Sequence, residues 1–383
     1  KMKKTYTALL LAFVTVFSPI SSYAAQTETT AETTTLSQTD LTESYSTLIS
    51  SVYNNELETL TYEEAEEKTL RNNSTLKNLS ASMKLAESNL DLSYTETSAD
   101  SGTDFSNLIS FLNSKASYEN SELSKVAQEE SIKHSLKESY INMIKTQREI
   151  SLGELQLETD KMNLDISKAK LKSGKISQSE YDSLELSYNT EKEQLETKKE
   201  NLELNYVSLN ILMGTDVSKR YNFVMPAVYE PFELDIPVES YINVKTAESN
   251  SVIQAKKSYE STKQTSKLTS ATSSAVNGYQ SAQNDLNSAQ MSYEDTKDTV
   301  YESLYNKYNS IVENEKNYAS ALEEFKLLQS DFLRTQVKYL NGKVSEYELI
   351  SAQYKLAEKE NSLLNSVYEH MLLKEELTNT DLM

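Results

Sequence analysis

The chain contains no cysteine. Disulfides, thiol nucleophiles and a lipid-anchored cysteine are therefore excluded. Tryptophan is also absent, and 383 residues include only six glycines and four prolines. So few turn formers leave helix or disorder as the main states open to the chain. Histidine occurs only at His134 and His370, on separate predicted helices. A zinc site or a histidine-based triad has too little to draw on, and both histidines are read as structural or surface residues. Positive charge is scarce as well, with a formal net charge of -20. That balance argues against nucleic acid, whose backbone calls for a basic surface, and against an anionic membrane surface. Its plain meaning is solubility. No cofactor or metal is expected.

What is present points to long helices. Apolar residues make up 38%, thin for one large core but enough for helices that each bury a single stripe. The 25 tyrosines suit such seams, because a tyrosine packs its ring and keeps its hydroxyl wet. At the N-terminus, Lys1, Lys3 and Lys4 precede "ALLLAFVTVF" and then "SPISSYAAQ". The order basic, apolar, small is that of a secretory signal peptide over residues 1–24, with cleavage expected after Ala24. Residues 25–58 are rich in Thr, Ser and Glu and are read as a disordered tail. No other stretch approaches a membrane span.

From about Leu60 the pattern turns helical: a short helix, a break at Asn72-Asn73, and a second helix. A polar loop is expected over about Thr95–Asn113. A very long helix then runs from about Asn113 to Lys172, on the order of 90 Å at 1.5 Å per residue. A return helix runs from Ser177 to Met213 and stops at Gly214. Residues 215–237 hold Pro226, Pro231 and Pro237 and are read as an extended linker. The layout then restarts, with a second polar loop over Thr269–Gln280, a long helix from about Ser281 to Leu340, and a last helix to about Leu377.

The two stretches, 59–214 and 238–383, are read as an internal duplication. Ile132, Leu136, Tyr140 and Ile144 match Val300, Leu304, Tyr308 and Val312, each set on one helix face. Tyr181, Tyr188, Leu195, Leu202 and Leu209 recur every seventh residue, as do Leu349, Leu356, Leu363, His370 and Leu377. A sustained seven-residue period is a coiled-coil seam. Glu191, Lys198 and Lys359 interrupt it, which suits helices facing a wet interior.

"KSGKISQSE" (Lys172 to Glu180) and "LNGKVSEYE" (Leu340 to Glu348) end the two long helices. Gly174 and Gly342 can take positive φ. Ser177 with Glu180, and Ser345 with Glu348, form S-x-x-E capping boxes for the returning helices. On their chemistry alone these phrases are turns built to fold.

The ordered set resembles the TolC family of outer-membrane efflux ducts over roughly residues 60–378. The matching motifs are the paired tips "GKISQSEY" and "GKVSEYEL", the return ending "LNILMG", the Pro-containing joint, and the opening "LTYEEAEEKTLRNNSTL". The resemblance implies an all-α chain of long antiparallel coiled-coil hairpins from a tandem duplication, three of which enclose a hollow α-helical barrel. It implies a homotrimer, a membrane-fusion adaptor docked at the tips, and an energised ABC or RND-type transporter behind the adaptor. Carried onto this sequence, the docking tips are Ser173, Gly174, Lys175, Asn341, Gly342 and Lys343. The capping or aperture positions are Ser177, Glu180, Ser345 and Glu348. A further carboxylate common in the family falls on Ser183 and Ser351 here. The family's membrane hairpins need about 22 or more residues each, which neither loop supplies, so a duct without the β-barrel is expected. Such a duct suits a cell envelope with one membrane and a wall. The reading from another class is a secreted coiled-coil structural or adhesive protein of the cell surface. No Ser-His-Asp set, phosphate loop or metal cluster suggests an enzyme.

Overall fold

The first described element is a strand that the helical pattern conceals. In the computed structural model, residues 57–99, 105–272 and 276–382 are described. The chain divides into two units, Lys1–Tyr45 and Ser46–Met383, and every described residue belongs to the second. The expected signal peptide and nearly all of the expected tail lie outside the described residues. Strand β1, Glu58–Thr61, pairs in parallel with β2, Tyr221–Val224, with Glu58 opposite Tyr221 and Thr61 opposite Val224. The segment expected as an extended linker therefore carries a strand, and the stretch expected as tail ends in its partner. Four residues each, without strict alternation, leave too weak a signal to read from sequence.

Helix α1, Tyr62–Asn72, starts on Thr61, whose hydroxyl accepts from the Glu64 amide while the Glu64 carboxylate accepts from the Thr61 amide. It ends at Asn73, which is extended (φ -61°, ψ 121°). The Asn73 side chain accepts from the Leu76 amide at 3.1 Å and so starts α2, Ser74–Ala99. The break expected at Asn72-Asn73 is thus a cap serving the next helix. Helices α3, Phe105–Lys172, and α4, Gln178–Met213, form the first hairpin. After β2 come α5, Val238–Glu248, and α6, Asn250–Thr272. The second hairpin is α7, Val276–Leu340, with α8, Glu346–Thr378, and a 3-10 turn closes the described chain at Thr380–Leu382.

Both expected loops are overturned in part. Helix α3 begins at Phe105 rather than near Asn113, and α2 continues to Ala99. The apolar residues Leu108, Ile109, Phe111 and Leu112 have helical spacing, and the ring of Phe111 lies 5.9 Å from that of Tyr94 on α2. The Thr97 hydroxyl donates across to the Asn107 carbonyl at 3.0 Å. The cluster therefore joins α2 to α3 within one chain. Helix α6 continues to Thr272 and α7 starts at Val276 rather than Ser281. Residues 100–104 and 273–275, between these helices, are each shorter than one membrane-spanning strand of about 9–11 residues.

The helices contact one another in a fixed order. Helices α2 and α4 pack on α3, α3 packs on α6 and α8, and α6 and α8 pack on α7. Cross-helix pairs give the registers. Lys199 meets Glu154 and Tyr206 meets Gln147 between α4 and α3. Tyr354 meets Gln156 and Glu376 meets His134 between α8 and α3. His370 meets Glu315 and Lys359 meets Glu324 between α8 and α7. The seam residues behave as their seven-residue period implies. Tyr181, Leu195, Leu209, Leu356, His370 and Leu377 are buried, and Tyr188, Leu202, Leu349 and Leu363 are half-buried. Of the seam's charged interruptions, Lys198 is exposed, Glu191 is half-buried, and Lys359 is paired with Glu324.

The main core forms where the strands meet the hairpins. Leu60, Leu136, Tyr140, Ile141, Met143, Leu209, Met213 and Tyr221 are all almost fully buried there. Tyr140 stands edge-on to Tyr62 (5.9 Å, 85°) and to Phe223 (5.1 Å, 87°), the arrangement aromatic quadrupoles favour. Its hydroxyl lies 2.5 Å from the Leu60 carbonyl and 3.1 Å from the Val224 carbonyl, and accepts from the Val224 amide at 3.0 Å. One phenol thus ties α3 to both strands. A second cluster, Ile242, Val252, Val300, Leu304, Ile311 and Leu377, holds α5 and α6 to α7 and α8. Tyr140→Phe keeps the ring and removes this hydroxyl, stranding strand groups in a dry site. Stability should fall by about 1–3 kcal/mol with helix content retained, read by urea denaturation followed by circular dichroism.

Candidate functional site

The two hairpin tips are built from the same set of bonds. At the first, α3 ends at Lys172 and Gly174 takes φ 70°. The Gly174 amide donates to the Leu171 carbonyl and the Lys175 amide to the Lys170 carbonyl, both at 2.9 Å. At the second, Gly342 takes φ 65°, its amide donates to Tyr339 at 2.8 Å, and the Lys343 amide donates to Lys338 at 2.9 Å. These are Schellman closures, which need a residue at ease in the left-handed region. Nothing lies within 4 Å of where a side chain would start at either glycine. Conformation alone, with no crowding, selects glycine there.

The returning helices start identically. Ser177 and Ser345 both sit at φ -79°, ψ 160°, and each hydroxyl accepts from the amide three residues on. The Glu180 carboxylate accepts from the Ser177 amide at 2.7 Å and hydroxyl at 3.0 Å, and Glu348 accepts from Ser345 at 2.8 and 2.9 Å. The backbone donor first, then the hydroxyl, holds both carboxyls below the usual range. Ser173 and Asn341 use their side chains to bond the last turn, to the carbonyls of Lys170 (3.0 Å) and Val337 (2.7 Å). All ten residues singled out from the sequence thus lie at these tips. Each tip gathers its own five, and the described contacts place α3 between α4 and α8. Lys175 and Lys343 are exposed, as are the glycines.

Two charged groups away from the tips escaped sequence reasoning, because their partners are far apart in the chain. His134 on α3 meets Glu376 of α8 at 3.1 Å and lies 3.9 Å from Glu375. Lys137 pairs with Glu375 at 2.7 Å, and Lys307 of α7 pairs with Glu376. Hydrogen bonds to Glu375 and Glu376 raise the imidazole to about 9, against the opposing effect of burial. The His134 bond, with help from Lys307, lowers Glu376 to about 2. Ligand atoms of His134, Glu138 and Glu376 lie within 4.8 Å of one another, a spacing a metal could use. Lys307 already pairs with Glu376 and Lys137 with Glu375, so together with His134 these residues form an ion-pair clamp across three helices.

Nearer the tips, Glu360 of α8 is buried close to Arg148 of α3. Burial pushes its carboxyl up to about 7, although the Arg148 charge pulls it down. Burial likewise lowers the Arg148 guanidinium.

No protein-family model matches the chain, and no curated protein matches it. Solved structures do. The outer-membrane channel OprN shares 12% identity with it at a TM-score of 0.64, over 84% of this chain and 90% of that one. The CmeC outer membrane channel of Campylobacter jejuni shares 13% at 0.59, over 84% and 85%. CusC, described in terms of folding and transmembrane channel formation, shares 13% at 0.60, over 86% and 95%.

The fold is that of the TolC-like helical channels.

These structural neighbours are channels and not enzymes. Among the described residues, no helix is long and apolar enough to cross a membrane.

The buried Glu360 gives a pH signature. Its folded pKa of about 7 lies above the ordinary 4.5. Below pH 4.5 the carboxyl is neutral in both folded and unfolded chains and adds no pH-dependent cost. The cost grows as pH rises and levels off above 7. Glu360→Gln should therefore leave stability at pH 4 unchanged and raise it at pH 8 by about 2 kcal/mol, measured by denaturant titration at both pH values.

Proposed function

We propose that the mature protein is a passive export duct of the cell envelope. In this reading, copies of the chain close into a hollow α-helical barrel, a homotrimer by resemblance to the TolC family, built from a tandem duplication. The tips dock with a membrane-fusion adaptor, which couples the duct to an energised ABC or RND-type transporter. Short connections in place of the membrane hairpins support a duct that ends outside the cytoplasmic membrane without a β-barrel of its own.

The observation that carries the reading is the pair of open edges. Helix α7 packs on α6 and α8, while α2 and α4 pack on α3. On α7, Leu333, Val337 and Leu340 recur at helical spacing and are 48, 59 and 78% exposed. On α4, Leu186, Leu204 and Ile211 share one face and are 69, 64 and 65% exposed. Apolar stripes of this length call for cover. Two different edges that cover each other make a head-to-tail contact, which closes into a ring when the rotation between copies closes.

Leu186→Glu together with Leu333→Glu should convert the assembly to monomers, read by sedimentation velocity, with helicity within about a tenth of the parent's. Replacing Gly174 and Gly342 with Trp should cut binding to the adaptor of the chain's own transport system by at least about tenfold and leave the assembly intact. A parent protein that stays monomeric at high concentration and ignores the adaptor would contradict the duct and favour a cell-surface coiled coil.

A further inference from the structure

Two lysine side chains at the tips, Lys175 and Lys343, have no role in folding them. Lys168, Lys170, Lys172 and Lys175 crowd the first tip, and Lys338 and Lys343 flank the second, in a chain whose net charge is -20. All six are exposed. Cations in the last turn of a helix are favoured by its dipole, which accounts for Lys170, Lys172 and Lys338. The same argument fails for Lys175 and Lys343. Each lies past its helix, two residues before the cap of the next one, beside a helix N-terminus that disfavours positive charge. Among the described residues, neither ammonium has a carboxylate within ion-pair distance. Of the acids that follow the two lysines, Glu180 and Glu348 each bind the capping serine through one carboxylate oxygen, and neither these nor Glu346 forms an ion pair with the tip lysine. The same unneutralised cation therefore stands at the same place on both tips, next to a glycine with open space around it.

We propose that the two tips form a cationic docking surface for a protein partner whose facing surface presents carboxylates. The proposal rests on the adaptor reading above and adds the partner's chemistry to it. Lysine, a compact charge on a flexible stem, suits a carboxylate ring approached end-on. Leu340, 78% exposed beside Gly342, adds an apolar contact that a protein surface can match. The chain's overall negative charge works against an anionic bilayer as the occupant. Repetition of the tips around an assembly turns weak single pairs into a strong sum.

The test measures binding of the full mature chain to the immobilised adaptor of its own transport system. The parent is compared with K175E/K343E, K175Q/K343Q and G174W/G342W. The glutamate pair should weaken binding at least about tenfold and the glutamine pair less, and parent affinity should fall as salt rises. Acid-to-lysine changes on the adaptor's docking surface should restore binding of K175E/K343E. Equal binding by the parent and both charge variants, lost only in G174W/G342W, overturns the cationic surface and leaves docking in place. No binding by the parent overturns both readings. Sedimentation with phosphatidylglycerol vesicles, present in the parent and lost in K175E/K343E, assigns the lysines to lipid and also overturns the proposal.

Discussion

A helix that buries apolar residues on two flanks must be covered on two flanks. This constraint organises the molecule, because the chain is too poor in apolar residues to wrap its long helices in a closed core. Helix α3 meets it, packing against α2, α4, α6 and α8. Helix α7 and the pair α2 and α4 meet it only in part, and their exposed leucines record the deficit. In a chain this acidic and polar, such stripes are costly to leave in water. The duct reading follows from covering them with further copies of the same edges.

Near the strands, the structure solves a different problem. Long hairpins slide unless something fixes their register, since one heptad resembles the next. The fixing elements are specific and polar. Tyr140 bonds both strands, Asn72 donates to the Met213 carbonyl at 2.8 Å, and His134 with Lys307 clamps the end of α8. Each bond is satisfied in one alignment only. At the far end of the return helices, the capping boxes define where each helix begins. Register is thus set at both ends, and the seams between can remain partly polar.

Much of this was legible in the sequence, for identifiable reasons. The tips were visible because glycine, serine and glutamate do local work within a few residues, and the observed φ values and caps match that work. The seven-residue stripes were visible because helices bury by period. The strands were hidden, being four residues long and held by partners far along the chain. Helix α3 starts earlier than the polar, Gly-containing stretch before it suggests, and Phe111 near its start packs against Tyr94 of α2, a partner distant enough that a local pattern does not reveal it. His134 and Glu360 gave no local sign, since their environments come from helices distant in sequence.

The central claim is that open edges of one chain are closed by another. End-on electron cryomicroscopy of the purified mature protein tests it most directly. The account predicts a closed three-fold ring of helices around an empty centre. Isolated four-column particles, or a filled rod of helices, would contradict it.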